Sequence, residues 1–361
     1  MKIAFCKFAA FANGGTEKYL QSISILYKSI GRDVDFFYTN AAPTIGSSFI
    51  CPDNNTDRMN LVKSKGINLF KVHVGNRYVS PYPYEVKWID TDFFDVFKES
   101  DYEYLITAGD GRKEFPYADM HNIKIINTVH GFHAYNQPNI VQSVLLCKWQ
   151  ADKWIKNGGD SSRAEIIPTL VTVPATWTKT FREKNGIPAD AFVYGLHQGK
   201  GVGSLVSLQA FSSLVKSNCY CAFLGGSEIH RQYCRDNNIK NVIFVDATSS
   251  VNDIHDFLDG IDVFAHCRVD GEVCSAAIIE SMYHEKPIIS YIGDGTNLGH
   301  VEQIKGCGTM THSVEEYAQE MIKLQDKNYY SDMSGRIRDK YRAVYDSKIV
   351  EKKLLQLIDR K

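Results

Sequence analysis

Short apolar runs alternate with stretches of helical periodicity along most of this chain, and this alternation constrains the fold more than any other feature. The first apolar run, residues 3–8, ends at a glycine-containing loop. Apolar residues then recur at spacings of three and four from Tyr19 to Ile30, and Gly31 is placed to end that helix. Strands that alternate with helices predict a parallel sheet with helices on both faces.

The alternation is interrupted once, over residues 166–190, where prolines and threonines follow no clear period and indicate a linker. A chain of 361 residues is also too long for one ordinary core. We therefore predict an α/β fold of two doubly wound, Rossmann-like domains that face a cleft. The predicted parts are a first domain at residues 1–168, a second domain at 169–335 and a C-terminal helical tail at 336–361.

Composition excludes several classes of protein. The net charge of -1 argues against a strongly basic grip on nucleic acid, and no apolar run approaches the ~20 residues that a transmembrane helix needs. The early apolar run is interrupted by Lys7, so a first β-strand is a better interpretation than a signal peptide. We expect a cytoplasmic protein, and peripheral attachment to a membrane stays open.

The nine cysteines are odd in number, widely scattered and include no CxxC pair. Cys219 and Cys221 are the most closely spaced, on one face of a predicted strand. This pattern favours buried free thiols in a reducing compartment over disulfides or a zinc site.

Two glutamates, Glu272 and Glu280, are the strongest candidates for a functional pair. Along a helix, eight residues correspond to about 12 Å of rise and about 80° of rotation, so the two carboxylates cannot share one proton or one metal ion. They are spaced to contact two parts of one elongated ligand. Between them, the small residues Ser275, Ala276 and Ala277 would let a diphosphate approach the N–H groups of a first helical turn. Spacing alone leaves an ordinary amphipathic helix equally open.

The segment from Glu272 to Glu280, followed by Lys286-Pro287 and a strand, resembles the Glu-x7-Glu motif of the retaining glycosyltransferases of family 4. Val273 and Cys274 stand where that family usually has glycine and an aromatic residue. The resemblance implies the GT-B fold. It also implies a metal-independent enzyme of glycan biosynthesis that transfers a sugar from a UDP- or GDP-linked donor to a glycan or another hydroxyl acceptor, with retention of configuration.

The resemblance extends to the first domain. Gly14 and Gly15 follow the first strand and resemble the family's glycine loop, whose backbone lies near the donor phosphates. His130 ends a strand where the family often carries a histidine that contacts the sugar or positions the acceptor. Judged by the residues alone, a Gly-Gly turn needs no function, and a histidine at a strand end is structural as often as functional.

In the second domain, Lys200-Gly201 resembles a family element that steadies the leaving diphosphate. The arginine that usually precedes it is absent, and His197 or Arg268 is a candidate to replace it. An ordinary solvated lysine is the alternative for Lys200.

The resemblance implies a distinct role for each of the two glutamates of the motif. Glu280 binds the ribose, and Glu272 binds hydroxyls of the transferred sugar. Lys200, with backbone N–H groups near Gly15 and residues 275–277, stabilises charge on the leaving diphosphate. Two other functional classes stay open: a nucleotide-sugar epimerase with the GT-B fold, and a bilobal binding protein without catalysis.

Asp90-x-Asp92 is the one pattern that favours a metal site, because a DxD sequence binds a divalent cation in other glycosyltransferases. It precedes an aromatic, helix-like stretch, where an aspartate that caps the helix N-terminus is the simpler explanation. We therefore expect no cofactor and no essential metal.

Overall fold

The structure, a computed structural model, describes residues 2–12, 14–39, 42–43, 49–50, 55–73, 77–80, 85–88, 91–114, 116–197, 204–214 and 218–359. The chain forms two compact units. One comprises Met1–Leu170 with Lys348–Lys361, and the other comprises Val171–Ser347. The sequence-based boundaries fall after residues 168 and 335, and those of the compact units after residues 170 and 347.

The first unit is built on a parallel sheet of seven strands. Its strands are β1 (Lys2–Phe8), β2 (Asp33–Thr39), β5 (Asn68–Lys71), β8 (Tyr104–Gly109), β10 (Lys124–Val129), β11 (Ile140–Leu145) and β12 (Ala164–Ile166), in the spatial order β12-β11-β10-β8-β1-β2-β5. The remaining short strands are β3 (Ala42–Pro43), β4 (Phe49–Ile50), β6 (Arg77–Ser80), β7 (Glu85–Trp88) and β9 (Lys113–Glu114). Helices in the connections bury the apolar strands from water, as the continuous apolar runs predict.

Four α-helices accompany this sheet: α1 (Gly15–Ser29), α2 (Thr56–Ser64), α3 (Phe93–Val96) and α4 (Lys148–Lys156). In α1 most of the predicted apolar face is buried, with Tyr19 and Tyr27 at most 1% exposed, whereas Ile30 at its end is 45% exposed. The helix ends at Ser29, shortly before Gly31, whose φ of +81° is strained for any residue with a side chain.

The second unit has a parallel sheet of six strands in the order β15-β14-β13-β16-β18-β20. The strands of this unit are β13 (Phe192–His197), β14 (Cys219–Leu224), β15 (Val242–Val245), β16 (Val263–His266), β17 (Gly271–Glu272), β18 (Ile288–Tyr291), β19 (Asn297–Leu298) and β20 (Thr309–Thr311). Its helices are α5 (Phe181–Lys184), α6 (Val206–Ser212), α7 (Glu228–Asp236), α8 (Val251–Gly260), α9 (Ala276–Tyr283), α10 (Gly299–Ile304), α11 (Val314–Lys323) and α12 (Lys327–Lys340). This is the strand order of a doubly wound nucleotide-binding fold.

The last helix, α13 (Ser347–Asp359), packs on the first unit. The Tyr27 hydroxyl of α1 donates a hydrogen bond of 2.6 Å to the Leu354 carbonyl, and Arg32 pairs with Asp359 at 3.3 Å.

None of the described helices is long and apolar enough to cross a membrane. The eight cysteines in the described residues are free thiols, and both Cys219 and Cys221 are buried.

Asp92 occupies the N-cap position of α3, as predicted from the DxD sequence, but its side chain does not bond to the helix N-terminus. Its Oδ1 accepts the backbone N–H of His73 at 2.8 Å. Thr91 Oγ1 accepts the N–H of Phe93 instead, at 3.2 Å. The carboxylate thus joins α3 to the preceding loop, and Asp90 lies outside the described residues.

Replacing Tyr27 by Phe removes the hydroxyl that connects α1 to α13 and leaves the buried Leu354 carbonyl without this donor. We expect the free energy of unfolding, measured by urea denaturation, to fall by about 1 kcal/mol. Tyr104→Phe is the matched control, because its hydroxyl lies 3.5 Å from the Ile358 carbonyl, at the limit of a hydrogen bond. Equal losses in the two variants would contradict the prediction.

Candidate functional site

The candidate site lies where the strand order of the second sheet reverses, between β13 and β16. Open α/β sheets bind ligands outside the carboxyl ends of the strands at such a switch point. β13 ends at His197 and β16 ends at His266, so both histidines lie at this edge. The chain then continues from His266 directly into the Glu272 segment and α9.

A short parallel ladder fixes the backbone of the Glu272 segment. In it, Gly271 pairs with Asn297 and Glu272 pairs with Leu298. Gly271 has φ +64°, and a Cβ atom there would lie 2.0 Å from the Asn297 carbonyl oxygen. A Cβ atom at Gly299 would lie 1.7 Å from the Val273 carbonyl oxygen. The two backbones approach so closely that only glycine fits at these positions.

Two side chains of α10 complete this backbone clamp. The Glu272 N–H donates to Nδ1 of His300 at 3.3 Å, while the other ring nitrogen of His300 lies 3.2 Å from the Tyr291 carbonyl. The Ser275 N–H donates to the Gln303 side chain at 2.8 Å, and the Gln303 amide donates back to the Ser275 carbonyl at 3.2 Å. Because Nδ1 of His300 accepts a hydrogen bond and Nε2 faces a carbonyl, the ring carries its proton on Nε2. Burial, with His266 nearby, lowers the pKa of His300 to about 4, so the ring is neutral at physiological pH.

The Glu272 carboxylate is held beside two nitrogen-bearing side chains. Its Oε1 lies 3.4 Å from His266 Nε2 and 3.7 Å from Arg268 Nη1. Burial by itself would raise the pKa of Glu272, but the contacts with His266 and Arg268 outweigh burial and lower it. Arg268 also forms a bidentate ion pair with Asp270, with N–O distances of 2.6 and 3.1 Å. Glu272 is thus an ionised acceptor of hydrogen bonds.

The second carboxylate, Glu280, lies inside α9 and is 2% exposed. Its Oε2 is 3.6 Å from His197 Nδ1, which brings together two of the predicted donor-binding residues. His197 is the last residue of β13, and Glu280 lies in α9. The pair therefore joins two elements next to the switch point.

The N-terminus of α9 lies between the two acids. Ser275 is the N-cap residue, and its Oγ accepts the Ile278 N–H at 3.4 Å, which satisfies one of the four N–H groups that a helix start leaves without an intrahelical partner. Ala276 and Ala277 begin the helix and are partly exposed. Lys200 and Gly201 lie outside the described residues.

In the first unit, Gly14 is the N-cap residue of α1 and Gly15 is its first residue, so the predicted glycine loop forms the start of the helix. A Cβ atom at Gly14 would lie 1.9 Å from the Glu17 carboxylate, so the glycine leaves room for Glu17 to pair with Lys7 at 3.1 Å. His130 directly follows β10, its ring edge-on to Tyr19 at 5.4 Å. Burial and the nearby Lys7 lower the pKa of His130 to about 3, so this ring is neutral.

Sequence reasoning missed three residues of the candidate site: His266, His300 and Gln303. His266 reads as the last residue of an apolar strand. His300 and Gln303 bond to residues 28 positions earlier, a separation that no local spacing rule detects.

The described residues contain no group of three or more His, Cys, Asp or Glu side chains that could hold a metal ion.

The model of the family described as glycosyl transferases group 1 matches residues 191–327 of this chain. This segment contains the second sheet, Glu272 and Glu280. No curated protein matches the chain. Comparison with solved structures, in contrast, gives similarity along nearly the whole length.

The chain is similar to a glycosyltransferase from Rickettsia africae ESF-5, with 15% identity, a TM-score of 0.72, and coverage of 99% of this chain and 97% of the other. It is similar to HepE of Anabaena, described in complex with UDP and glucose, with 13% identity, a TM-score of 0.74, and 99% coverage of both chains. It is also similar to sucrose-phosphate synthase from Thermosynechococcus elongatus, with 14% identity, a TM-score of 0.68, and coverage of 99% and 98%. These similarities confirm the predicted GT-B fold. The family match, in turn, supports glycosyl transfer as the activity of the second unit.

Replacing Gly271 by Ala tests whether the backbone clamp needs glycine. The added Cβ would meet the Asn297 backbone, so we expect a loss of about 2 kcal/mol or more in the free energy of unfolding. Gly295→Ala is the matched control, since Gly295 also has positive φ (+85°) but nothing within 4 Å of an added Cβ. A loss no larger than that of the control, measured by urea denaturation, would contradict the clamp.

The low pKa of His300 predicts a pH dependence of stability. Between its ordinary value of 6.5 and about 4, the unfolded chain binds a proton that the folded His300 does not, so stability is present above pH 6.5 and is lost as the pH falls toward 4. His300→Asn keeps an acceptor near the Nδ1 position but does not titrate. The stability advantage of the wild type over this variant should shrink by about 3 kcal/mol between pH 7 and pH 4. A constant difference in urea denaturation would contradict the prediction.

Proposed function

We propose that this protein is a retaining glycosyltransferase of family 4 type, with the Glu-x7-Glu pair Glu272 and Glu280 in its donor site. It transfers a sugar from a UDP- or GDP-linked donor to the hydroxyl of a glycan or similar acceptor, without a divalent cation. One observation carries the proposal: both acids lie at the switch point of the second sheet, each within 4 Å of a nitrogen-bearing side chain.

The two acids divide the donor between them. Glu280 is almost fully buried in α9 beside His197, where its carboxylate accepts hydrogen bonds from the ribose hydroxyls. Glu272 belongs to the clamped segment before α9 and accepts hydrogen bonds from hydroxyls of the transferred sugar. Hydrogen bonds to an ionised carboxylate are among the strong ones, so each acid contributes substantial affinity.

The diphosphate lies at the N-terminus of α9, where unpaired N–H groups and the helix dipole favour an anion. Lys200 is the proposed cation for the leaving group, and His197 is the proposed second hydrogen-bonding group there. Arg268 is engaged by Asp270 and Glu272, so we assign it chiefly to shaping the sugar subsite. Charge builds on the diphosphate as the glycosidic bond breaks, and its stabilisation lowers the barrier.

The acceptor oxygen attacks the anomeric carbon on the face from which the diphosphate departs. The C1–O bond to the diphosphate breaks, the C1–O bond to the acceptor forms, and a leaving phosphate oxygen takes the acceptor proton. This route needs no protein nucleophile and keeps the anomeric configuration.

We assign the acceptor side to the first unit. There His130 follows β10, at the carboxyl edge of the first sheet. Among the described residues, His130 Nε2 is buried without a hydrogen-bond partner. A neutral imidazole there is able to donate to or accept from a substrate hydroxyl.

UDP-linked sugars are the first donors to test, because HepE is described in complexes with UDP-glucose and with UDP. The assay is thermal unfolding of the full chain with UDP, GDP and their sugar conjugates, followed by kinetic assays of the responders. Ligands that bind the folded state raise the melting temperature. Each assay is run with EDTA, since the proposal involves no divalent cation.

Replacing Glu280 by Gln removes the negative charge of the proposed ribose acceptor. We expect the affinity for the free nucleoside diphosphate to fall by about tenfold or more, because a charged hydrogen-bond acceptor is lost. Glu285→Gln is the matched control: Glu285 follows α9, and its carboxylate faces Arg338 at 3.8 Å instead of the switch point. Unchanged affinity in Glu280→Gln, or an equal loss in the control, would contradict the ribose assignment.

A further inference from the structure

We propose that His266 is a positioning residue that aims the Glu272 carboxylate at the donor sugar, and that Ser290 sets the tautomer of His266. The inference rests on the proposed function, because it concerns the sugar-binding role of Glu272. It adds to that function two residues that neither contact the donor nor belong to the Glu-x7-Glu motif.

His266 is a polar residue in a place that an apolar side chain would fill at lower cost. It is 0% exposed, at the end of a strand whose other residues are Val263, Phe264 and Ala265. Burying an imidazole is unfavourable unless its ring nitrogens are hydrogen-bonded. Both nitrogens of His266 have a partner, and one of the two partners is Glu272.

The sheet itself fixes the position of the His266 ring. His266 is directly opposite Ser290 in the register of β16 with β18, and its Nδ1 lies 2.7 Å from Ser290 Oγ. The buried Tyr317 hydroxyl donates to the His266 carbonyl at 3.2 Å. A side chain on a central strand, held at both backbone and ring, is a rigid support for a functional group.

The chemistry of the partners determines the proton on the ring. An ionised Glu272 only accepts hydrogen bonds, so the nitrogen that faces it, Nε2, carries a proton. When the ring carries a single proton, Nδ1 accepts the hydrogen bond that the Ser290 hydroxyl donates. Ser290 thus favours the tautomer that donates to Glu272, as outer partners do for functional histidines generally.

The other charged and titratable groups around this contact are consistent with a positioned Glu272 carboxylate. Arg268 contacts the same carboxylate oxygen, Oε1, as His266 does, and Asp270 is paired with Arg268. The ring of His300 lies 5.5 Å from that of His266, and its neutrality leaves the carboxylate without a competing cation there. His266 and Arg268 together orient the carboxylate through one oxygen, Oε1, and the Ser275 side chain at the start of α9 also hydrogen-bonds to it.

The test separates the sugar contribution from the nucleotide contribution to binding. Calorimetry on the full-length protein gives the Kd of UDP and of UDP-glucose, with GDP and GDP-mannose in parallel, and the ratio of the two Kd values measures the contribution of the sugar. His266→Gln keeps a donor near the Nε2 position, whereas His266→Asn keeps only a group near Nδ1. Glu272→Gln gives the ratio that remains without the carboxylate.

We expect His266→Asn to lower the sugar contribution about tenfold, to the level of Glu272→Gln, while the Kd of the free diphosphate stays within about twofold. His266→Gln should retain most of it, and Ser290→Ala should give an intermediate loss. The double variant with Glu272→Gln should lose no more than either single change.

His230→Asn is the matched control. His230 is also buried, and its Nδ1 also contacts a serine, Ser227, at 2.7 Å, but its Nε2 faces the Ser204 carbonyl instead of a carboxylate. The control should leave the sugar contribution unchanged.

The possible failures are distinguishable. If the wild type binds a nucleotide-sugar more tightly than its diphosphate and both His266→Asn and Ser290→Ala keep that difference, the positioning role is overturned and the proposed function stands. If His266→Asn does not fold, Ser290→Ala and His266→Gln decide the question by the same ratio. If the folded wild type binds neither pair of ligands, the proposed function is overturned, and this inference with it.

Discussion

The close approach of two backbone segments, residues 269–273 and 293–300, is the constraint on which the second-unit site depends. Gly271 and Gly299 permit it because any side chain there would overlap a carbonyl oxygen of the facing segment. The resulting ladder places Glu272 next to the end of β16 and leads the chain into α9. A carboxylate on an irregular segment thereby gains the rigidity of a strand.

Neutral and ionised groups are arranged around this segment by burial. His300 is buried and neutral, so it serves as a hydrogen-bond acceptor for the backbone of Glu272. Glu272 itself stays ionised because His266 and Arg268 offset the cost of its burial. Buried polar groups are tolerated here because the side chains of His266, His300 and Gln303 each have hydrogen-bond partners. Recognition of a sugar requires a rigid acceptor that already has the correct orientation.

Sequence patterns predicted the fold well where apolar runs were continuous: the apolar run at residues 3–8 lies in β1, and the strand predicted to hold Cys219 and Cys221 is β14. β11 (Ile140–Leu145) is less evident in the sequence, because Gln142 and Ser143 interrupt its apolar run. The pair Glu272 and Glu280 was singled out as a candidate by its local spacing together with the resemblance to the Glu-x7-Glu motif. The clamp and the packing of α13 on the first unit were not, because both depend on residues far apart in the chain.

The most direct test of the account is a crystal structure of the full chain with a bound nucleotide-sugar that raises its melting temperature. The account predicts ribose hydroxyls within hydrogen-bond distance of Glu280, the sugar hydroxyls at Glu272 and the diphosphate at the start of α9. A donor bound elsewhere on the molecule, with both carboxylates still facing only protein groups, would contradict it.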